Sequence, residues 1–309
     1  MKRGELLVIF LVVVLLIFPM ISAINFTDFW KDFKARITGE AVSGTAALNI
    51  TIGNAAPTIP FVEVITPKTP TEGTNTSITF NFTARDTDGF GNLNDSTAAS
   101  YFQKTGEATR SNLTCAPAGT SGANDKNYTC SINMWYFDGN GAWTINATIK
   151  DNAASSAENS TTTFTFNLLN AMVISPPALT WPAVGLSSVN IEANQNITVN
   201  NTGNEIDLTI NVTAKDLRGE TTTNQFIYSN NFTVNNATFN PCAATEMANG
   251  TSINVTNATL QKGNNSLNYW NATSGQEQTV YCLQGVVSNI SAQSYSTSFL
   301  GAWTITTIV

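Results

Sequence analysis

After Gly44 the chain is written largely in period 2. Ile78, Phe80, Phe82 and Ala84 alternate with Thr79, Asn81 and Thr83. Trp143, Ile145, Ala147 and Ile149 alternate with Thr144, Asn146 and Thr148. Successive side chains of a strand point to opposite faces, so both runs read as half-buried strands. The stretch Gly141-Ala142-Trp143-Thr144-Ile145 recurs as Gly301-Ala302-Trp303-Thr304-Ile305. Cys130 precedes the first copy and Cys282 the second, and each copy falls late in a segment about the size of one β-sandwich. The echo predicts two sandwiches in tandem, each closed by a Trp-bearing strand. Trp303, Ile305 and Val309 are then expected in a core, as Trp143 and Ile145 are, with Thr304 and Thr306 facing out.

Other alternating runs fill in this frame. Leu48 to Ile52, Cys130 to Trp135, Thr161 to Asn167, Val280 to Val287 and Phe299 to Val309 each read as strands. Asp86-Thr87-Asp88-Gly89 and Asp138-Gly139-Asn140-Gly141 carry turn chemistry. Asn196 to Val199, then Asn201-Thr202-Gly203-Asn204, then Leu208 to Ala214 predict a hairpin with a short loop. The Asn-rich stretch from Asn230 to Tyr269 predicts short strands among long loops. Frequent turns and little helical periodicity after Gly44 give an all-β class, two Ig-like β-sandwich domains over 55–170 and 171–309.

The first 54 residues differ. Lys2 and Arg3 precede an unbroken apolar run from Leu6 to Phe18, ended by Pro19. Such a run matches the core of an export signal and is short for a membrane span. Residues 1–23 are therefore a signal peptide, cleaved after Ile21-Ser22-Ala23, or an uncleaved N-terminal anchor. A pilin-type leader cut after Gly4 is a third reading, from which Glu5 departs by lying too early. No apolar span follows Val309, so no C-terminal anchor is expected. Within 24–54, Phe26, Phe29, Trp30, Phe33 and Ile37 form one helical stripe, opposite Asp28, Lys31, Asp32, Lys34 and Arg36. That helix suits a membrane surface, a neighbouring protein or the chain's own first domain. Gly39 to Gly44 reads as a linker.

Composition then narrows the function. Charged residues are 11% of the 309, against about 25% in ordinary domains. Asn, Thr and Ser must supply the solubility. Lys+Arg 14 against Asp+Glu 21 gives −7, with no basic footprint for nucleic acid. There is no histidine, which removes His-based acid–base chemistry, triads and metal ligands. No Gly-x-Ser-x-Gly elbow, Walker loop or dinucleotide fingerprint is present. Four cysteines, none in CxxC spacing, fall two per domain and predict Cys115–Cys130 and Cys242–Cys282 disulfides in an exported chain.

Two motifs offer chemistry. Asn-x-Ser/Thr occurs 20 times, whereas random placement of 38 Asn and 68 Ser plus Thr gives about eight. Candidate glycosylation sites are Asn81, Asn146, Asn196, Asn211, Asn231 and Asn271. The same period also arises wherever Asn and Thr share the wet face of a strand, so partial occupancy is expected. Asp86, Asp88 and Asn92 could offer oxygens to Ca²⁺. An EF-hand fails on spacing, since Phe90 and Thr97 stand where a ligand and a bidentate Glu belong. Asx and Gly residues shaping a turn are the favoured reading. No other cofactor is expected.

A resemblance follows from particular stretches. Asp86 to Leu93, followed by the Gly-Ala-Trp-Thr-Ile strand, resembles Ig-like domains of archaeal exported cell-surface proteins. Asn201-Thr202-Gly203-Asn204 is similar to a second Ig-like type in that company. Phe29-Trp30-Lys31 and Ile37-Thr38-Gly39-Glu40-Ala41 resemble the N-termini of exported proteins of small-genome archaea. The resemblance implies surface location and fold.

Together these features give a non-enzymatic structural or interaction protein of the cell surface, in an envelope layer or appendage. Its partners would be other copies of itself or other envelope proteins, with membrane contact only through an uncleaved N-terminal segment. An adhesin that binds glycans is the alternative; exposed aromatics at Tyr101-Phe102 or Tyr269-Trp270 would favour it. A pilin-like filament subunit and an exported hydrolase are weaker readings. N-terminal sequencing of the native protein should find Ile24 first. A start at Met1 means an anchor, and a start at Glu5 means a pilin-type leader.

Overall fold

The computed structural model describes residues 26–38, 46–263 and 275–309. The leader at 1–23, the linker from Gly39 to Gly44, and Tyr269-Trp270 lie outside the described residues. The chain divides into two compact units, Met1–Gly53 and Asn54–Val309.

In the first unit, helix α1 spans Phe26–Thr38, with Asp28 in its first turn and Arg36 in its last. Both charges complement the helix dipole. The apolar stripe holds an aromatic cluster, with Phe29 and Phe33 rings 6.0 Å apart and Trp30 5.3 Å from Phe33. These three side chains are about half exposed.

The second unit is antiparallel β, and its strands fall into two sets. The first set holds β1 (Thr58–Val62), β2 (Asn75–Arg85), β3 (Leu93–Gln103), β4 (Arg110–Asn112), β5 (Ala116–Ser121), β6 (Asp125–Trp135), β7 (Gly141–Asp151) and β8 (Ser156–Phe166). They form two sheets, ordered β1-β2-β6-β5 and β4-β3-β7-β8. One hydrophobic cluster includes Ile78, Phe80, Phe82 and Ala84 of β2, Tyr128, Cys130 and Ile132 of β6, and Trp143, Ile145 and Ile149 of β7. The period-2 residues of the sequence therefore fill the space between the two sheets in a β-sandwich-like packing.

The second set runs β9 (Met172–Ser175), β10 (Val189–Glu192), β11 (Ile197–Asn201), β12 (Leu208–Thr213), β13 (Leu217–Gly219), β14 (Phe226–Ile227), β15 (Phe232–Asn236), β16 (Thr245–Glu246), β17 (Ser252–Leu260), β18 (Gln276–Gly285), β19 (Tyr295–Ser296) and β20 (Thr304–Ile308). The sheets are β16-β15-β18-β11-β9 with β10 also on β18, then β17-β12-β20, then β14-β13-β19. A second cluster joins Val199, Leu208, Ile210, Val212, Phe232, Val234, Leu260 and Tyr281. Burial pushes the Tyr281 hydroxyl up to about 12. The Asn-rich stretch supplies β15, β16 and β17, beyond what its composition announces.

Three expectations are corrected. Leu48 to Ile52 is not a strand, and Leu48, Ile50 and Ile52 are 82%, 77% and 89% exposed. A strand needs a neighbour to pair with, which period 2 does not supply. The run through Asn201-Thr202-Gly203-Asn204 is not a hairpin. β11 pairs with β18 and β9, whereas β12 pairs with β17 and β20. The chain crosses from one sheet to the other there, so both strands bury their apolar residues from opposite sides of one core. Val309 is 82% exposed, so it lies outside the core; Trp303 and Ile305 are half-buried against it. Thr304 and Thr306 face out as their parity requires.

The crossing segment sits where the two strand sets meet. Asn204 is buried; its Oδ1 accepts from Leu169 N at 2.7 Å, and its Nδ2 donates to Asp138 O and Asn167 O, both at 3.0 Å. Thr202 Oγ1 donates to Glu72 Oε1 at 2.7 Å. Lys262 Nζ reaches Glu107 Oε1 at 2.6 Å and Phe137 O at 3.1 Å. A Cβ on Gly203 would lie 2.0 Å from Leu169 O, so only glycine permits this approach. Asp138 is itself buried against Arg110, whose Nε donates to both carboxylate oxygens at 3.0 Å. Burial pushes the Asp138 carboxyl up, opposed by the Arg110 guanidinium and the Trp135 N–H.

Replacing Asn204 by Ala removes its bonds to Asp138 O, Asn167 O and Leu169 N, and with them the side-chain tie from the second strand set back to the first. The expected loss is about 2–4 kcal/mol. Urea unfolding followed by tryptophan fluorescence and by far-UV circular dichroism should coincide in the native chain and separate in the variant.

Candidate functional site

The two copies of the echo are alike only in part: the first lies wholly in β7, whereas in the second only Thr304 and Ile305 belong to β20 and Trp303 stands just before it, so the second set is not closed by a Trp-bearing strand as expected. Gly141 and Gly301 have φ of 100° and 89°, a region that favours glycine, at or just before the start of each strand. Trp143 Nε1 donates to Gly139 O at 2.8 Å, and Trp303 Nε1 donates to Lys215 O at 2.7 Å. Their neighbours differ. β7 lies between β3 and β8, and Trp143 pairs with Phe164 of β8. Among the described residues β20 pairs with β12 alone. Trp143 and Ile145 are fully buried, while Trp303, against Trp181, Phe232 and Tyr281, and Ile305 are half-buried.

The β20 edge is also chemically unlike the others. Edges are usually blunted by charge, proline, bulges or brevity, because unpaired N–H and C=O groups invite another strand. β1 carries Pro60 and a register shift, and β5 carries Pro117 and another. β8 bears Glu158, β10 bears Glu192, and β9 runs into Pro176-Pro177. β4 has three residues, including Arg110; β14, β16 and β19 have two each. β17 opposes an irregular register and contains Asn257 at φ 61°. β20 reads Thr-Ile-Thr-Thr-Ile, with no charge, no proline and no register shift. Among the described strands it is the unprotected edge.

The loop expected to offer calcium ligands is closed on itself. Asp86 Oδ1 accepts from Asp88 N at 2.9 Å, and its Oδ2 accepts from Asn92 Nδ2 at 3.1 Å. Asp88 Oδ2 accepts from Ala55 N at 2.7 Å. Asn54 accepts from Asn92 and donates to Asp151 Oδ2 at 2.8 Å. The structure brings Asp86 and Asn92 together, but with an amide nitrogen turned to the carboxylate. Among the described residues no group of three or more Cys, Asp or Glu is placed to hold a metal ion.

The glycan candidates separate by environment. Asn196 is exposed at the start of β11. Asn81 is exposed, but its Nδ2 donates to Glu63 Oε2 at 2.8 Å. Asn211 Oδ1 accepts from Asn254 Nδ2 at 3.3 Å on the wet face of β12 and β17. Asn146 is half-buried and its Oδ1 has no partner. Asn231 is followed by Thr233, which is buried with its hydroxyl on Pro241 O at 2.6 Å. Asn271 lies outside the described residues. Cys115 is joined to Cys130 and Cys242 to Cys282.

Of the aromatic pair expected to mark a sugar platform, Phe102 is in the core. A different surface group emerges that the sequence hides. Phe226 and Tyr228 stack at 6.1 Å, and the Arg218 guanidinium lies 4.7 Å from the Phe299 ring centre. Strands of two or three residues bring them together, too short to leave a periodic signal.

No family model and no curated protein matches the chain. Among solved structures it is similar to the secreted serine protease VesC from Vibrio cholerae, at 10% identity and TM-score 0.18, over 76% of this chain and 50% of that one. It is also similar to a putative membrane anchored protein from Corynebacterium diphtheriae, at 11% identity and TM-score 0.19, over 81% and 54%. The chain thus spans about half the length of each. Likenesses this faint assign neither family nor activity. What stands is an all-β protein whose two disulfides fit an oxidising, extracellular environment. Among the described residues no helix is long and apolar enough to cross a membrane.

Glycopeptide mapping of the native protein should find Asn196 occupied and Asn231 bare. It should also find Asn236 bare, since that side chain is buried with its Nδ2 on Asn257 O. A glycan on Asn231 or Asn236 would mean attachment before folding.

Proposed function

We propose that the chain is a non-enzymatic structural or interaction protein of the outer cell surface, a component of an envelope layer or surface appendage. The two strand sets serve as two Ig-like sandwich domains in tandem, over 55–170 and 171–309, carried behind an N-terminal signal or anchor and the helix α1. The observation that carries this reading is the buried junction through Asn204, which ties the two strand sets into one compact unit. Strand faces that are polar and carry few charges suit a repeating layer. Its disulfides suit life outside the cell, and the general secretory route would deliver it. The resemblance to archaeal exported surface proteins agrees with this placement.

A second reading, a glycan-binding adhesin, is favoured by one feature. Tyr228 and Phe299 are about half exposed beside Phe226 and Arg218. Aromatic faces with a nearby guanidinium are a common way to hold a sugar ring.

Antibody labelling of isolated native envelopes under the electron microscope separates the two. A lattice or filament of label is the outcome expected of the structural reading. Scattered label, with binding on a glycan array that Tyr228→Ala abolishes, would replace it with the adhesin. Label confined to the cell interior would end both.

A further inference from the structure

We propose that the free side of β20 receives the segment Leu48–Ile52 of a second copy of the chain as an added strand. The inference deepens the envelope reading by naming its partner, and rests on that reading only for its biological setting.

The position is defined by comparison within the molecule. The pentapeptide that opens β7 recurs leading into β20, each copy with a positive-φ glycine and a Trp whose indole N–H is bonded to backbone, although Gly301 and Trp303 stand before β20 and Gly141 and Trp143 within β7. β3 stands beside β7 as β12 stands beside β20. β8 stands on the other side of β7, and no strand stands on the other side of β20 among the described residues. Trp143 and Ile145 are fully buried, whereas Trp303 and Ile305 are half-buried. The edge also lacks every device that blunts the other edges, so nothing repels an incoming strand.

The occupant is written in the chain itself. Leu48-Asn49-Ile50-Thr51-Ile52 alternates apolar and polar over five residues, the length of β20. It has the pattern of a half-buried strand, yet its three apolar side chains are exposed and it is in no strand. Laid against β20, Leu48, Ile50 and Ile52 would share the face of Ile305 and Thr307. Asn49 and Thr51 would continue the wet face of Thr304 and Thr306. Neither Ala46–Gly53 nor β12, β17 and β20 contains a charged residue, so no like charges meet. Main-chain bonds would give affinity and the alternate side chains register, as in other strand additions.

Among the described residues the segment lies in no strand and β20 has one strand neighbour. Each copy then offers one donor and one acceptor, and the contact is head-to-tail. Such contacts propagate into rings or filaments.

Sedimentation of the purified native protein over a range of concentrations tests this. The mass should rise with concentration and respond little to salt. Ile50→Lys, at a residue outside the folded core, should weaken association about tenfold or more with an unchanged unfolding midpoint. Every cysteine of the native protein is in a disulfide, so single-cysteine variants report cleanly. Mixing Thr51→Cys with Thr306→Cys should give a disulfide-linked heterodimer. A native chain that stays monomeric at all concentrations overturns the proposal. So does Ile50→Lys associating as strongly as the native chain, or a monomer in which 46–53 resists protease, which would mean capture within one copy. Each result uses purified protein, so a failure here leaves the surface location to be judged by envelope labelling.

Discussion

The buried amide of Asn204 is the constraint around which the second unit is arranged. It accepts from Leu169 and donates to Asp138 and Asn167, so one side chain holds three backbone groups from the strand set that precedes it. A buried amide is tolerated only when its hydrogen-bonding groups are met, and here the partners are fixed backbone. Gly203 beside it allows the close approach to Leu169. The crossing from β11 to β12 then has a fixed direction, and with it the two sheets that share the second core. Lys262 on Glu107 and Thr202 on Glu72 reinforce the same seam. The seam between the two strand sets is packed and its polar groups are met.

On that frame the surface chemistry follows from scarcity of charge. With 11% charged residues, the outward positions of β2, β7, β12 and β17 are mostly Asn, Thr and Ser, with Arg85 and Lys150 the charged ones. Those side chains pair across strands, as Thr83 does with Asn127 and Thr129 with Asn81. The few charges are spent on defined pairs. Lys126 and the Tyr128 hydroxyl meet Asp95, where burial alone would raise the carboxyl and these two partners together hold it lower. A surface with few charges is suited to packing against its own kind, and among the described strands β20 is the edge that lacks protection.

The adhesin and structural readings use different parts of this surface. Phe226, Tyr228 and Phe299 rise on the small sheet β14-β13-β19, clamped from behind by Gln293, which accepts from Thr221 N and Thr222 N. β20 belongs to the neighbouring sheet and offers backbone rather than rings. One face would read a ligand, whereas the other would read a strand.

The sequence by itself determined the local periods. The parity of β2 and β7, the outward Thr304 and Thr306, the stripe of α1 and the turn at Asp86 to Gly89 all follow from side-chain alternation and turn chemistry. Each depends on a few adjacent residues, and neighbours in sequence are always neighbours in space. Only the tertiary structure decided who pairs with whom. Asn196–Val199 and Leu208–Ala214 look like the arms of a hairpin, yet they lie in different sheets. Asn204 looks like a turn residue and is buried. Leu48–Ile52 has a strand's pattern without a neighbour, and β20 repeats β7 without a β8. A strand is stabilised by hydrogen bonds to a segment that is distant in sequence, and alternation records which faces are apolar without recording which segment lies alongside.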